Sequence, residues 1–187
     1  MVSKEIGYLG NFPQWKMSLD VRAFHEQING YIRKQDKSTP ADYANEEDFP
    51  IQGFEYQLKW QPWSGAQLVF NQSYTDIRAH LNPQNLTGTP FAAPKLASSM
   101  AYFQKLPGSL DLTLIHQDND TATLTGSGPG SRVAMTRTDL RLSKSMRWGA
   151  KRGEIALVLQ NLGLPYQDFA PEFVFRRQAF VTLRLEN

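Results

Sequence analysis

Cysteine is absent from the sequence, which excludes a disulfide framework and any metal site built on thiolates. No run of about 18 apolar residues occurs, so the sequence predicts no transmembrane helix. Charge of one sign is not concentrated either: 20 basic and 18 acidic residues are mixed along 187 residues, which argues against a nucleic-acid-binding face. Residues 1–5 lack the apolar segment of a secretory signal peptide.

What the sequence does contain is an alternation of apolar and polar residues. From residue 15 to 26 the odd positions through Ala23 are apolar and the others are polar, with Phe24 as the exception. Because successive strand side chains point to opposite faces, this pattern predicts a ribbon with one apolar and one polar side. The pattern recurs along the chain, with large aromatic residues near the strand ends: Trp15, Trp60, Trp63, Tyr74, Phe103 and Trp148. Such rings at both edges of an apolar band suggest interfacial girdles, and the alternative is that they cap the ends of a soluble core.

The sequence predicts an all-β fold, an antiparallel up-and-down meander of about nine strands in one partial-barrel domain over residues 1–187. The predicted strands cover residues 3–9, 14–33, 51–61, 66–78, 94–106, 110–117, 132–148, 154–161 and 178–186. Their connections alternate between short turns and long polar loops. Membrane barrels are built in this way, whereas β-sandwiches connect their strands less regularly. The alternation of short turns and long loops therefore favours a transmembrane barrel wall, with a soluble β-sandwich binding module as the alternative.

Five segments carry motifs beyond this alternation. Residues 52–78, QGFEYQLKWQPWSGAQLVFNQSYTDIR, combine Gly-x-Glu, Trp-x-Pro, a glycine turn and a closing Tyr-Thr-Asp. Residues 5–32 form a hairpin pattern upstream, and 93–95 read Ala-Pro-Lys. Residues 160–162 with Tyr166 approximate Asn-Leu-Phe-x-x-x-Tyr, and 177–187 read as a last strand. In this order the motifs resemble the C-terminal barrel portion of TonB-dependent outer-membrane receptors, over essentially the whole chain.

The resemblance implies transport and no enzymatic activity. Members of the family take up ferric siderophores, cobalamin, haem or other scarce nutrients across the outer membrane of Gram-negative bacteria. The implied partners are outer-membrane lipid and lipopolysaccharide, the plug and missing strands of the receptor, the TonB energy complex through the absent N-terminal part, and a small-molecule nutrient; no nucleic acid is implied. The resemblance assigns no cofactor, metal or catalytic residue, and it leaves the ligand-binding residues unknown.

Two departures from the family pattern shape the expectation further. Family barrels have about 22 strands, whereas this sequence predicts nine and contains no plug or energy-coupling box. The last residue is Asn187, where outer-membrane proteins usually end in an aromatic residue. We therefore expect a receptor fragment, one part of a split barrel, or a truncated reading frame without function.

Other candidate sites carry weaker patterns. The three histidines, His25, His80 and His116, have no ligand-like spacing, and residues 46–48 and 118–120 are acidic clusters expected to be solvated loops rather than cation sites. The glycine-rich segment 126–131 lacks the ending of a phosphate-binding loop, and residues 149–153 predict a turn. Arg176 and Arg177 are expected at the long-loop rim, either solvated or near lipopolysaccharide phosphates. The predicted polar faces mix both signs of charge: Lys16, Asp20, Arg22, Asp111, Asp139, Arg141, Arg184 and Glu186.

Overall fold

The structure is a computed structural model that describes residues 1–34, 43–78, 95–120, 134–149, 151–167 and 174–186. In chain order its strands are β1 (Val2–Phe12), β2 (Met17–Lys34), β3 (Tyr43–Trp60), β4 (Ala66–Ile77), β5 (Leu96–Leu106), β6 (Leu110–Asn119), β7 (Met135–Trp148), β8 (Lys151–Gln160), β9 (Tyr166–Gln167), β10 (Val174–Phe175) and β11 (Gln178–Glu186). β9 and β10 pair with each other, and the other nine form one antiparallel sheet in the order of the chain. This confirms the predicted meander.

The strand ends differ from prediction at several places. β2 begins at Met17 because residues 13–15 form a 3-10 turn, which ends on Lys16 in the left-handed region at φ 51. β3 begins at Tyr43 rather than near residue 51, since it stays paired with β2 beyond a bulge at Gly30. The Gly30 N–H donates to the Asp48 carboxylate at 2.6 Å, so Asp48 of the acidic cluster stabilises the bulge. The side chains of residues 46 and 47 lie outside the described set.

One line of paired residues crosses all nine strands and is apolar throughout. We call it the apolar row, and its members, each directly opposite the next, are Phe12, Met17, Trp60, Leu68, Tyr102, Leu114, Leu140, Leu159 and Ala179. Residues paired across antiparallel strands share a face. The predicted alternation is therefore real, and its apolar sides combine into one continuous face.

The apolar row also measures the tilt of the strands. On β1 the row passes through Phe12, the residue next to the short turn. On β8 it passes through Leu159, which is eight residues away from Lys151, the residue next to the short turn of that strand. With about 3.4 Å per residue and about 4.8 Å between strands, eight residues over the seven steps from β1 to β8 give a tilt of about 40°. Strands of membrane barrels tilt by about 35–45°.

The sheet has no packed second layer in the described part of the chain. Among those residues the buried apolar side chains are Phe49, Ala66 and Ala156 alone, and large ones such as Val181 and Leu183 stay 71% and 65% exposed. A β-sandwich would bury one face of each sheet in a core about 10 Å thick. The sandwich alternative is therefore not supported. Within the described ranges, no helix is long and apolar enough to cross a membrane.

Aromatic residues lie at both ends of the apolar face. At the short-turn end the rings of Phe12 and Trp15 stack at 5.6 Å, and toward the long-loop end Phe54 and Tyr74 stack at 5.6 Å. For Phe103 the predicted place at an aromatic edge of the apolar band is wrong. It pairs with Gln67 and Thr113, so it lies on the polar face and does not belong to the aromatic edge.

Candidate functional site: the concave polar face

The polar face is the concave side of the sheet. A groove of about 710 Å³ touches residues of seven consecutive strands, β1 to β7, and nearly all of them belong to the polar face. A single groove can touch seven strands on one face only if the sheet curves around that face. The apolar row is consequently on the convex side. The groove is lined by Glu5, Asp20, Arg22, Glu55, Tyr56, Gln57, Asn71, Gln72, Ser73, Ala97, Ser98, Ser99, Gln117, Asn119 and Met135.

A second line of paired residues, the polar row, runs along this groove. Its members across β2 to β7 are Asp20, Gln57, Asn71, Ser99, Gln117 and Arg137. Gln57 Nε2 donates to Asn71 Oδ1 at 2.7 Å, and Asn71 Nδ2 donates to Ser99 Oγ at 3.1 Å. Amides and hydroxyls carry both donors and acceptors, so this row can hydrogen-bond polypeptide backbone or a polar solute.

An ion cluster lies beside the polar row on the first three strands. The Arg22 guanidinium is 2.5 Å from the Glu55 carboxylate and 3.5 Å from the Glu5 carboxylate. All three side chains are between 41% and 51% exposed, so water screens the pairs and their contribution to stability is small. The cluster therefore gives the groove its charge and contributes little to the stability of the fold.

A lower groove of about 970 Å³ continues the concave face toward the short turns of β3–β4 and β5–β6. Arg141 pairs with Glu154 across β7 and β8 and donates to the Ser143 hydroxyl at 2.8 Å. Ser143 is only 1% exposed, and its register partner is the buried Ala156. Small residues thus let the Arg141 side chain lie close to the sheet, with both of its hydrogen-bonding sides satisfied.

At the long-loop end, the described residues between β8 and β11, 161–167 and 174–177, contact the concave side through Arg137 and Asp139. Asn161, at φ 51 and 2% exposed, donates its N–H to Asp139 Oδ1 at 2.9 Å. Its side-chain amide donates to the carbonyls of Leu164 and Phe175, both at 3.2 Å. Asp139 also accepts from Arg137, which reaches the Tyr166 hydroxyl at 3.4 Å. These contacts hold the short strands β9 and β10 against β7.

The structure does not bring together the histidines, acidic residues and arginines that were the other candidates. His116 Nδ1 lies 2.9 Å from the Thr138 hydroxyl on the convex face, and His25 lies between Lys4 and Gln52 in the register. Asp118 accepts a hydrogen bond from Thr136 at 2.6 Å, and Arg177 donates to the Leu162 carbonyl at 2.7 Å. His80, Pro94 and the glycine-rich segment 126–131 lie outside the described residues.

No three His, Asp or Glu side chains gather as metal ligands would in the described ranges. Where clusters do form, each carboxylate faces an arginine or a lysine; Asp76, for example, lies 2.7 Å from Arg78 and 3.6 Å from Lys95. The concave face is accordingly a grooved surface of mixed charge, and among the described residues it shows no constellation for acid–base or nucleophilic chemistry.

The sequence alone did not predict a row of three apolar residues that crosses the concave face. Val69, Ala101 and Ile115 are directly opposite one another on β4, β5 and β6, between the two grooves. A pairing register was needed to bring them together. The alternation in the sequence showed only single apolar residues at polar positions, such as Phe24.

No protein-family model matches this chain, and no curated protein matches it. Among solved structures, the chain resembles the ferric-catecholate import receptor Fiu from Escherichia coli K12 in its closed form, with a TM-score of 0.67. The likeness covers 98% of this chain at 13% sequence identity, and the chain spans 26% of that receptor. At this identity the likeness concerns the fold: the meander is that of part of a β-barrel wall.

Proposed function

We propose that this chain is the C-terminal part of the barrel wall of an outer-membrane TonB-dependent receptor, which takes up a scarce nutrient such as a ferric siderophore. Residues 1–187 then form one partial-barrel domain, completed by the plug and the remaining strands. The observation that carries the proposal is the apolar row, an uninterrupted uncharged line on the convex side of nine tilted strands. The fold likeness to an import receptor supports it.

The hydrophobic effect makes the convex face costly in water. On β8 and β11, Leu157, Val181 and Leu183 are 42%, 71% and 65% exposed, although they lie side by side. Full burial of one such side chain stabilises by about 1.5–3 kcal/mol. Hydrocarbon lipid supplies that burial without a second protein layer, while the strand pairing satisfies backbone groups within the wall.

Lengthwise, the convex face has the layout of a bilayer span. Along β6 the apolar residues Leu110, Leu112 and Leu114 give way to His116 and Asp118 toward the long loop. Near the short turns, Trp63 Nε1 donates to Gln104 at 2.8 Å, so its ring can lie in an apolar layer while its polar edge is satisfied. Aromatic side chains of this kind border the apolar band of membrane barrels.

The two sides then have different tasks in the proposed receptor. The concave grooves, with the polar row and the Arg22 cluster, would face the plug and the passage for the nutrient. The long loops would form the outer vestibule, and lipopolysaccharide would meet the convex rim. Energy coupling would act through the plug rather than through this wall, so no residue here performs covalent chemistry.

Neighbouring residues of β6 provide a test in matched variants. Leu114 is in the apolar row, and Thr113 points to the concave side. Arginine near the middle of a bilayer costs about 2–4 kcal/mol on a lipid-facing strand position. Leu114→Arg is therefore expected to lower the free energy of unfolding in lipid vesicles by about 2–4 kcal/mol, and with it the folding yield. Thr113→Arg is expected to change both quantities little. Equal effects of the two variants would contradict the proposal.

A further inference from the structure

Two arginines face each other across the last short turn. Arg147 of β7 and Arg152 of β8 are directly opposite in the register, and both project from the concave side. The next pair toward the turn, Trp148 and Lys151, belongs to the convex side. Like charges placed directly opposite each other destabilise a strand pair. A pair of this kind needs compensation by negative charge.

The acidic groups nearest to this pair are already engaged. Glu154 forms an ion pair with Arg141, and Glu186, the register partner of Arg152, lies 2.6 Å from Arg184. Neither Arg147 nor Arg152 has an ion pair or a side-chain hydrogen bond among the residues that the structure describes. Together with Arg141 and Arg184, the group holds four arginines and two glutamates, so it carries two uncompensated positive charges.

A groove lies next to the pair. It measures about 430 Å³ and is lined by both arginines together with Ser109, Ser145 and the Glu186 edge of β11. Guanidinium groups bind carboxylates through two parallel hydrogen bonds, and serine hydroxyls can donate to the same anion. The groove therefore suits a carboxylate that accepts hydrogen bonds from the guanidinium groups of Arg147 and Arg152.

We propose that this groove binds an acidic segment of polypeptide that lies inside the concave face at its short-turn end. The inference rests on the proposed function, since the interior of a receptor barrel is where another part of the polypeptide would lie. A lipid headgroup is disfavoured because the arginines project to the concave side, away from the face that carries Trp148 and Lys151. The opposed guanidiniums attract the segment, and its carboxylates remove their repulsion.

The test uses the full 187-residue chain in detergent micelles and a fluorescent peptide of ten glutamates, with binding followed by anisotropy. Arg147→Gln/Arg152→Gln is expected to raise the Kd at least tenfold at low salt. The matched control, Lys144→Gln/Lys151→Gln, removes two positive charges from the same strands on the convex side and is expected to change the Kd less than twofold. A peptide of ten glutamines should not bind.

The outcomes separate this inference from the proposed function. If peptide binding weakens equally in the two double variants, it responds to net charge alone, and the inference of a specific binding groove is overturned. If the chain does not bind the peptide although lipid vesicles protect it from protease, the groove inference is overturned while the proposed barrel wall stands. A chain that is soluble without detergent, yet still distinguishes the two double variants, would overturn the barrel proposal and keep the groove.

Discussion

The ring of Phe24 lies against Gly53, its direct partner across β2 and β3. A Cβ atom added at Gly53 would be 2.7 Å from the Phe24 ring and 2.1 Å from the Tyr74 carbonyl oxygen. Glycine is therefore required where an aromatic ring covers the strand on the polar face, an arrangement that pins register in sheets. This contact explains why Phe24 breaks the alternation, and it gives a physical reason for the glycine of the Gly-x-Glu motif.

Gly53→Ala is the first prediction. The new methyl group would overlap a backbone carbonyl as well as the ring, so the strands must separate, and overpacking of this kind costs about 1–3 kcal/mol. Gly7→Ala is the matched control, because its Cβ would meet only the Val21 carbonyl at 3.5 Å, an ordinary contact. Denaturant unfolding in vesicles measures both. Equal stability of the two variants would contradict the register of β2 and β3.

Asn161 carries the second prediction. Asn161→Ala removes two hydrogen bonds to the carbonyls of Leu164 and Phe175 and places alanine at a positive φ, with an expected loss of about 1–3 kcal/mol in the free energy of unfolding. Asn161→Gly keeps the backbone conformation and loses only the side chain, so it separates the two causes. Hydrogen exchange should accelerate at Tyr166 and Phe175 in both variants. Unchanged exchange at these residues would show that Asn161 does not anchor β9 and β10.

The stacked pair Phe54 and Tyr74 gives the third prediction. The rings lie 5.6 Å apart on the convex face and are 21° from parallel. Aromatic pairs contribute about 0.5–1.5 kcal/mol beyond their buried area. A double-mutant cycle with Phe54→Leu and Tyr74→Leu is expected to show a coupling energy in this range, measured by unfolding in vesicles. Additive single effects would mean that the rings stabilise the wall independently.

The fold was predictable from the sequence wherever one face of a strand is apolar. β4, β6 and β11 agree with the predicted ranges to within two residues because their alternation persists to the strand ends. β3 extends to Tyr43, well outside its predicted start. Beyond the apolar band both faces of a strand are polar, so the period of two disappears although the backbone pairing continues.

The concave site was predictable only in its general character. Mixed charge on the polar positions was evident from the sequence. The contacts of Arg22 with Glu5 and Glu55, however, join residues that are 17 and 33 positions apart along the chain. Such contacts require the register, which alternation alone does not define to the residue. Phe103 was placed wrongly for a related reason: an aromatic residue near a strand end does not reveal which face it occupies until its partners are known.

The measurement that tests the central claim most directly is quenching of single tryptophans by brominated lipids along β6. In a background where the native tryptophans are phenylalanine, Leu112→Trp and Leu114→Trp are expected to be strongly quenched, since their positions lie on the convex face. Thr113→Trp and Ile115→Trp should not be quenched, although Ile115 is itself apolar. Quenching that alternates in this way supports a wall in lipid. Equal quenching at all four positions, or none at any, would contradict it.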